Sequence, residues 1–175
     1  MTIATIFQLH LLLGYLPWLL FCGAYVWPRI GAMDRVAAHR AIATLHSFRF
    51  FGLVFVVPGV VGANLPAGFA ESAAYGDFAT GLLAMLALLT VRIRPLFWLL
   101  VVAFNLAGAV DILLGYVHGI QFGLPEVAGE LGAAYYIPVL YVPLLMITHV
   151  TAFVLLLRPQ PQTGLSQLQS AGAVQ

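Results

Sequence analysis

Residues 104–118 read FNLAGAVDILLGYVH, a stretch that is apolar enough to sit in a bilayer yet carries three polar side chains. Asn105, Gly108, Asp111, Gly115 and His118 recur at steps of three or four residues, which places all five on one narrow face of a helix. A carboxylic acid at membrane depth costs at least ~2.5 kcal/mol, so it should face protein or water and have a partner. The stretch therefore predicts a transmembrane helix with one polar face turned towards the protein interior.

The composition of the whole chain also predicts a membrane protein. Of its 175 residues, 62% are hydrophobic and 7% are charged, whereas a soluble domain has ~25% charged residues. The chain has no lysine, and its net charge of +1 provides no basic surface for nucleic acid. Its single cysteine, Cys22, excludes an intramolecular disulfide, a CxxC redox pair and a cysteine zinc site.

Five apolar segments are each close to the ~20 residues that a helix needs to cross a ~30 Å hydrocarbon core. We predict transmembrane helices at residues 3–26, 38–62, 73–91, 96–118 and 132–157. The expected fold is all-α, an integral membrane bundle of five transmembrane helices within one domain, residues 1–158. The uncharged tail at residues 159–175 is rich in glutamine and is expected to be disordered.

The arginines predict the orientation of this bundle. Six of the seven lie between the first and second helices or in the first turn of the second, between the third and fourth, or after the fifth, positions that share one side of the membrane. The acidic residues Glu71, Asp77, Glu126 and Glu130 are expected on the other side. We therefore expect the N-terminus outside and the C-terminus in the cytoplasm.

The seventh arginine, Arg49, falls inside the second helix and has a candidate partner. At ~1.5 Å per residue, its backbone and that of Asp111 differ in depth by only about 5 Å within a ~30 Å core. An arginine side chain covers that distance, so we predict an Arg49–Asp111 ion pair. The pair could simply neutralise two charges and pin two helices. It could also belong to a site for a polar headgroup, a quinone carbonyl or a proton.

The membrane-embedded histidines extend this polar group. His46 shares a helix face with Arg49, and His149 on the fifth helix is level with His46. Two level histidines are the minimum for bis-imidazole ligation of haem b, although an interhelical hydrogen bond is the more ordinary role for a membrane histidine. His10 is level with Asp111 and could join a network with Asn105. The candidate ligand-binding or network residues are Arg49, Asp111, His46, Asn105, His10 and His149, with no metal site predicted beyond the haem alternative.

Two segments resemble the DoxX-like group of small bacterial membrane proteins. They are RFFGLVFVVPGVVG, residues 49–62, and GDFATGLLAMLALLTVR, residues 76–92. The resemblance spans about 45 residues from the start of the first segment to the end of the second, and it implies a four-helix membrane subunit of the bacterial inner membrane, in some cases associated with quinone-linked oxidoreductases. This chain departs from that pattern in its five apparent spans and in the histidine on the fifth helix. The resemblance assigns no catalytic residue.

Three classes of function remain open at this stage. The first is an accessory or small-molecule-binding membrane protein whose interior site takes a quinone or another lipid-soluble ligand. The second is a membrane enzyme that uses histidine or aspartate as acid and base on a lipid-like substrate. The third is a small proton-coupled transporter, although no internal inverted repeat is visible. The absence of GxSxG, HExxH, P-loop and GxGxxG motifs argues against conventional hydrolases. The expected partners are the lipid bilayer and either a second copy or a larger membrane complex.

Overall fold

A computed structural model describes residues 1–158, which fold into helices joined by short turns, with no strand among them. The α-helices are α1 (Ile3–Phe21), α2 (Trp27–Ala32), α3 (Arg35–Ser47), α4 (Ala67–Leu89), α5 (Arg94–Gln121) and α6 (Val142–Leu157). Two π-helical segments, Cys22–Val26 and Ile137–Tyr141, and two 3-10 helices, Phe48–Val56 and Ala128–Tyr135, complete the helical structure. The tail that we predicted to be disordered lies outside the described residues.

Four helices in the described part of the chain are long and apolar enough to cross a membrane: Ile3–Ala32, Ala67–Leu89, Arg94–Gln121 and Ile137–Leu157. The predicted all-helical membrane architecture is therefore confirmed at this level. The first of these helices continues past its predicted end at residue 26. A π-helical turn precedes Pro28, which then occupies the first turn of α2, where its missing N–H breaks no helical hydrogen bond.

The prediction of a single α-helix at residues 38–62 is wrong. The observed helix α3 begins earlier, at Arg35, because Asp34 caps it: Asp34 Oδ1 accepts the backbone N–H groups of Val36 and Ala37 at 3.0 Å each. After Ser47 the backbone tightens into the 3-10 helix Phe48–Val56. That helix ends at an extended Val57, because a residue that precedes proline is disfavoured in the helical region.

Helix α4 begins at Ala67, directly after Pro66, rather than at residue 73. This shift corrects the prediction for Asp77. We placed Asp77 with the acidic residues at the outer surface, but it lies ten residues into α4 and is only 6% exposed. The fifth predicted helix, by contrast, starts later than residue 132, because Gly132 has a φ of 51° that interrupts the helical backbone.

Helix α4 packs against α5, α3 and the 3-10 helix Phe48–Val56, whereas α1 packs mainly on the segments that follow residue 128. Two apolar clusters form the core of the bundle. One contains Phe55, Phe69, Ala74 and Leu131, and the other contains Ile42, Ala84, Phe104 and Ala152. Asp77 lies on α4 between residues of the two clusters, and Arg49 lies likewise between Ile42 of one cluster and Phe55 of the other. The polar site thus occupies a middle layer of the bundle.

Candidate functional site

Arg49 is the centre of a buried charged cluster. Its side chain is 1% exposed; Nε donates to Asp77 Oδ1 at 2.6 Å, and Nη2 donates to Asp111 Oδ2 at 2.5 Å. The structure therefore brings together Arg49 and Asp111, the pair expected from their depth. It adds Asp77, which our sequence analysis missed. A signal was present in the sequence, because the alanine-rich residues before Asp77 favour a helix that starts earlier than we assigned.

The remaining guanidinium nitrogen of Arg49 connects the cluster to α5 and α6. Nη1 donates to the carbonyl oxygen of Gly108 at 3.3 Å and lies 3.2 Å from His149 Nε2. His149 Nδ1 lies 2.9 Å from Asn105 Oδ1, while Asn105 Nδ2 donates to Val101 O at 2.7 Å. Since Arg49 can only donate and Asn105 Oδ1 can only accept, His149 carries its proton on Nδ1 and accepts at Nε2. His149 and Asn105 thus hold the guanidinium from the side opposite to its carboxylates.

The cluster depends on close approach at a glycine of α5. A Cβ at Gly108 would overlap the His149 imidazole and come within 2.6 Å of Arg49 Nη1. Gly115, two turns further along the same face, has no atom within 4 Å of an added Cβ and lines a cavity instead. The narrow face of α5 that carries Asn105, Gly108, Asp111, Gly115 and His118, here called the α5 stripe, therefore has two parts, a packed part at Gly108 and an open part at Gly115.

His46 and His149 are neighbours, as their depth suggested, but their geometry does not fit haem ligation. Their ring centroids are 4.0 Å apart with an interplanar angle of 36°. Metal–nitrogen bonds of ~2.0 Å would already place two opposed ligand nitrogens about 4 Å apart, with the ring centroids farther still. His46 Nε2 instead lies 3.0 Å from Thr148 Oγ1. Across residues 1–158, no group of three or more His, Cys, Asp or Glu side chains is placed to hold a metal ion.

His10 is not part of the cluster. It is exposed, and its Nδ1 lies 2.9 Å from the hydroxyl of Tyr135. Helix α1 packs towards the C-terminal segments rather than against the Asp111 face of α5. Depth along a helix carries no information on which face of the helix meets a neighbour, so the sequence could not exclude His10. His118, at the end of the α5 stripe, pairs with Ser72 of α4 through Nδ1 at 2.9 Å.

A cavity of about 550 Å³ lies beside the cluster, between α1 on one side and α4 and α5 on the other. Its lining is mostly apolar and includes Phe7, Leu11, Phe55, Phe69, Ile112 and Ile137. Asp111 contributes a carboxylate to this lining, and its side chain is 17% exposed, in contrast to 1% for Arg49. The hydroxyls of Tyr15 on α1 and Tyr116 on α5 also line the cavity and lie 2.8 Å apart.

The charged cluster and the adjoining cavity together determine what kind of molecule the site can hold. One guanidinium faces two carboxylates, so the cluster has an excess of acidic groups in a layer with low dielectric. Arg49 fixes the orientation of Asp111, and the cavity exposes that carboxylate to a bound molecule. The site can therefore hold the polar end of an otherwise apolar ligand.

One comparison with known proteins gives a match. A family model described as a domain of unknown function (DUF8737) matches residues 6–157. Neither the curated proteins nor the solved structures contain a match. The resemblance to DoxX-like proteins stays a prediction.

Proposed function

Since the chain belongs to the DUF8737 family of domains of unknown function, we propose its role from the site itself: it is a membrane protein that binds a lipid-soluble small molecule. The observation that carries this proposal is the apolar cavity of about 550 Å³ with the Asp111 carboxylate in its wall. Ligand sites are typically concave spaces of ~300–1,000 Å³, mainly apolar, with a few polar groups that fix orientation. The interior of this bundle meets that description.

We propose five membrane crossings, the second made by α3 together with the 3-10 helix that follows it. These segments contain 13 and 9 residues. At ~1.5 Å per residue in an α-helix and ~2.0 Å in a 3-10 helix they extend for about 37 Å. That length is sufficient for a ~30 Å hydrocarbon core. In such a crossing Arg49, near the start of the 3-10 helix, lies close to mid-depth, where an irregular backbone is tolerated when it is buried in protein.

We place the N-terminus outside and the C-terminus in the cytoplasm of a bacterial inner membrane. Contacts made by Arg35 and Arg158 support this orientation. Arg35 Nη2 donates to the carbonyl oxygen of Leu156 at 2.8 Å, and the Arg158 guanidinium lies 4.7 Å from the ring centroid of Trp27. The start of α3, the end of α6 and the end of the first long helix therefore share one end of the bundle. Arginine-rich ends face the cytoplasm in most membrane proteins.

The proposed ligand enters from the bilayer between α1 and α5. The Tyr15–Tyr116 hydrogen bond joins these two helices beside the cavity. On its other side, α1 is held by Trp18, whose Nε1 donates to Leu140 O at 2.8 Å, and by the His10–Tyr135 contact. One part-buried hydrogen bond between two hydroxyls contributes only ~0.5–1.5 kcal/mol, so this polar link between α1 and α5 is weak. A quinone-associated role, which the DoxX-like resemblance suggests, is one specific form of this proposal.

The proposal is tested by ligand retention in two matched variants. Gly115→Leu adds a side chain to the cavity at a position where an added Cβ meets no atom within 4 Å. Leu113→Phe enlarges a side chain on the lipid-facing side of the same helix, where Leu113 is 56% exposed. Both proteins are purified in detergent and extracted with organic solvent, and the extracts are compared by mass spectrometry. We expect a lipid-soluble species with the wild type and Leu113→Phe that is depleted with Gly115→Leu. Equal amounts in all three extracts would contradict the proposal.

A further inference from the structure

The geometry points to the chemical class of the ligand: we propose that the polar end of the bound molecule donates a hydrogen bond, as a hydroxyl or amine does, to Asp111. This inference rests on the proposed function and makes it more specific. It distinguishes a phenol, alcohol or quinol from a quinone, an ether or a carboxylate.

The guanidinium of Arg49 is already engaged on every nitrogen. Nε binds Asp77, Nη1 contacts Gly108 O and His149 Nε2, and Nη2 binds Asp111. Its side chain is 1% exposed. Although Arg49 forms part of the cavity wall, four of its five N–H groups have partners, and its burial leaves an acceptor on the ligand little access to the fifth, on Nη2. An anionic or carbonyl end is therefore poorly matched to this site.

The carboxylate of Asp111 is placed differently. Only Oδ2 is bound by Arg49, and Oδ1 makes no hydrogen bond to any of residues 1–158. With 17% of its side chain exposed, Asp111 is the most accessible charged group of the cluster. An ionised carboxylate accepts hydrogen bonds and cannot donate them. A bound hydroxyl or ammonium group would satisfy this free acceptor.

The charges of the cluster favour the same class of ligand. One arginine faces two carboxylates, so a further anion in the cavity would meet repulsion, while a donor or cation would be attracted. The lining also contains Asp77, whose Oδ1 is bound by Arg49, and the neutral side chains of Gln8, Tyr15 and Tyr116. The mutual hydrogen bond of the two tyrosines occupies one of their two protons. As neutral groups, the amide and the hydroxyls form weaker hydrogen bonds than an ionised carboxylate. Donor recognition at Asp111 is thus the dominant polar interaction that the cavity offers.

The experiment compares two probes that differ in a single donor. 4-Hexylphenol carries a hydroxyl, and 4-hexylanisole replaces the hydroxyl proton with a methyl group; 4-hexylbenzoate supplies an anionic end. Thermal unfolding of the detergent-solubilised protein is followed as each probe is added, because a ligand that binds the folded state raises Tm. A hydrogen bond to a charged group predicts at least ~10-fold tighter binding of the phenol. Gly115→Leu reports how much of any Tm shift arises from probe dissolved in the micelle.

The Tm shifts separate donor recognition at Asp111 from ligand binding in the cavity. A larger Tm increase with 4-hexylphenol than with 4-hexylanisole, and none with 4-hexylbenzoate, supports the inference. Loss of the phenol preference in Asp111→Asn, which retains the Arg49–Asp77 pair, locates the donor site; the wild-type series stands alone if that variant does not fold. Equal shifts with phenol and anisole, or a larger shift with benzoate, overturn donor recognition but leave a binding cavity. If no probe shifts Tm in the wild type relative to Gly115→Leu, the proposed function fails as well.

Discussion

Asp111 Oδ2 lies 2.5 Å from Arg49 Nη2, and this contact joins α5 to the 3-10 helix Phe48–Val56 across 62 positions of sequence. The guanidinium is fully enclosed, whereas the carboxylate borders a cavity. The pair therefore connects the stability of the bundle to the site that we propose for ligand binding. Both the folded bundle and the proposed site therefore depend on Arg49.

Removal of Arg49 should be strongly destabilising. Arg49→Met leaves the carboxylates of Asp77 and Asp111 without their partner, and breaking a buried ion pair in this way costs about 3–5 kcal/mol. We expect a corresponding decrease in the free energy of unfolding in detergent. Arg29→Met is the matched control, because Arg29 is exposed and donates only to Tyr25 O. Adding Asp77→Asn and Asp111→Asn to Arg49→Met should restore most of the loss; an Arg49→Met protein as stable as the wild type would refute the structural role of the cluster.

The two glycines of the α5 stripe should respond differently to alanine. Gly108→Ala places a methyl group into the His149 and Arg49 side chains, whereas Gly115→Ala meets open space. Overpacking of this kind costs about 1–3 kcal/mol. We therefore expect a lower Tm for Gly108→Ala and an unchanged or higher Tm for Gly115→Ala, since alanine is the better helix former. Equal effects at both positions would mean that Gly108 is not the point of close approach.

Asn105 and His149 should be energetically coupled through their hydrogen bond. In a double-mutant cycle, Asn105→Ala and His149→Ala should show an interaction energy of about 0.5–3 kcal/mol, as is usual for residues in one network. His10 provides a control, because it contacts Tyr135 and lies outside the cluster. Asn105→Ala and His10→Ala should be additive in urea or thermal unfolding. Additivity of the Asn105 and His149 variants would remove His149 from the support of Arg49.

The proposed topology predicts the labelling pattern of engineered cysteines. After Cys22→Ser removes the native thiol, Asn64→Cys lies in the exposed turn before α4 and Arg92→Cys in the exposed turn before α5. In intact cells, a membrane-impermeant maleimide should label position 64, and it should label position 92 only after permeabilisation. The reverse pattern would invert the orientation. Labelling of both positions from outside would mean that the helix between them does not cross the membrane.

The sequence predicted the central pair but not its complete environment, and the reasons are physical. Depth follows directly from the number of residues between a side chain and the membrane surface, so Arg49 and Asp111 could be matched. Asp77 was missed because its depth was counted from residue 73, whereas α4 begins at Ala67, directly after Pro66. His10 had the correct depth but the wrong face, because helix rotation is set by packing with other helices. The cavity could not be predicted, since it depends on how α1 is held away from α4.

Photolabelling is the most direct measurement of whether the cavity is a ligand site. An apolar phenol that carries a diazirine is irradiated with the protein in lipid nanodiscs, and the labelled peptides are identified by mass spectrometry. We expect labels concentrated around Tyr15 and Tyr116, competed by 4-hexylphenol and strongly reduced in Gly115→Leu. Labels confined to outward-facing positions such as Leu13 and Leu20, which are 57% and 66% exposed, and unchanged in Gly115→Leu would contradict this expectation.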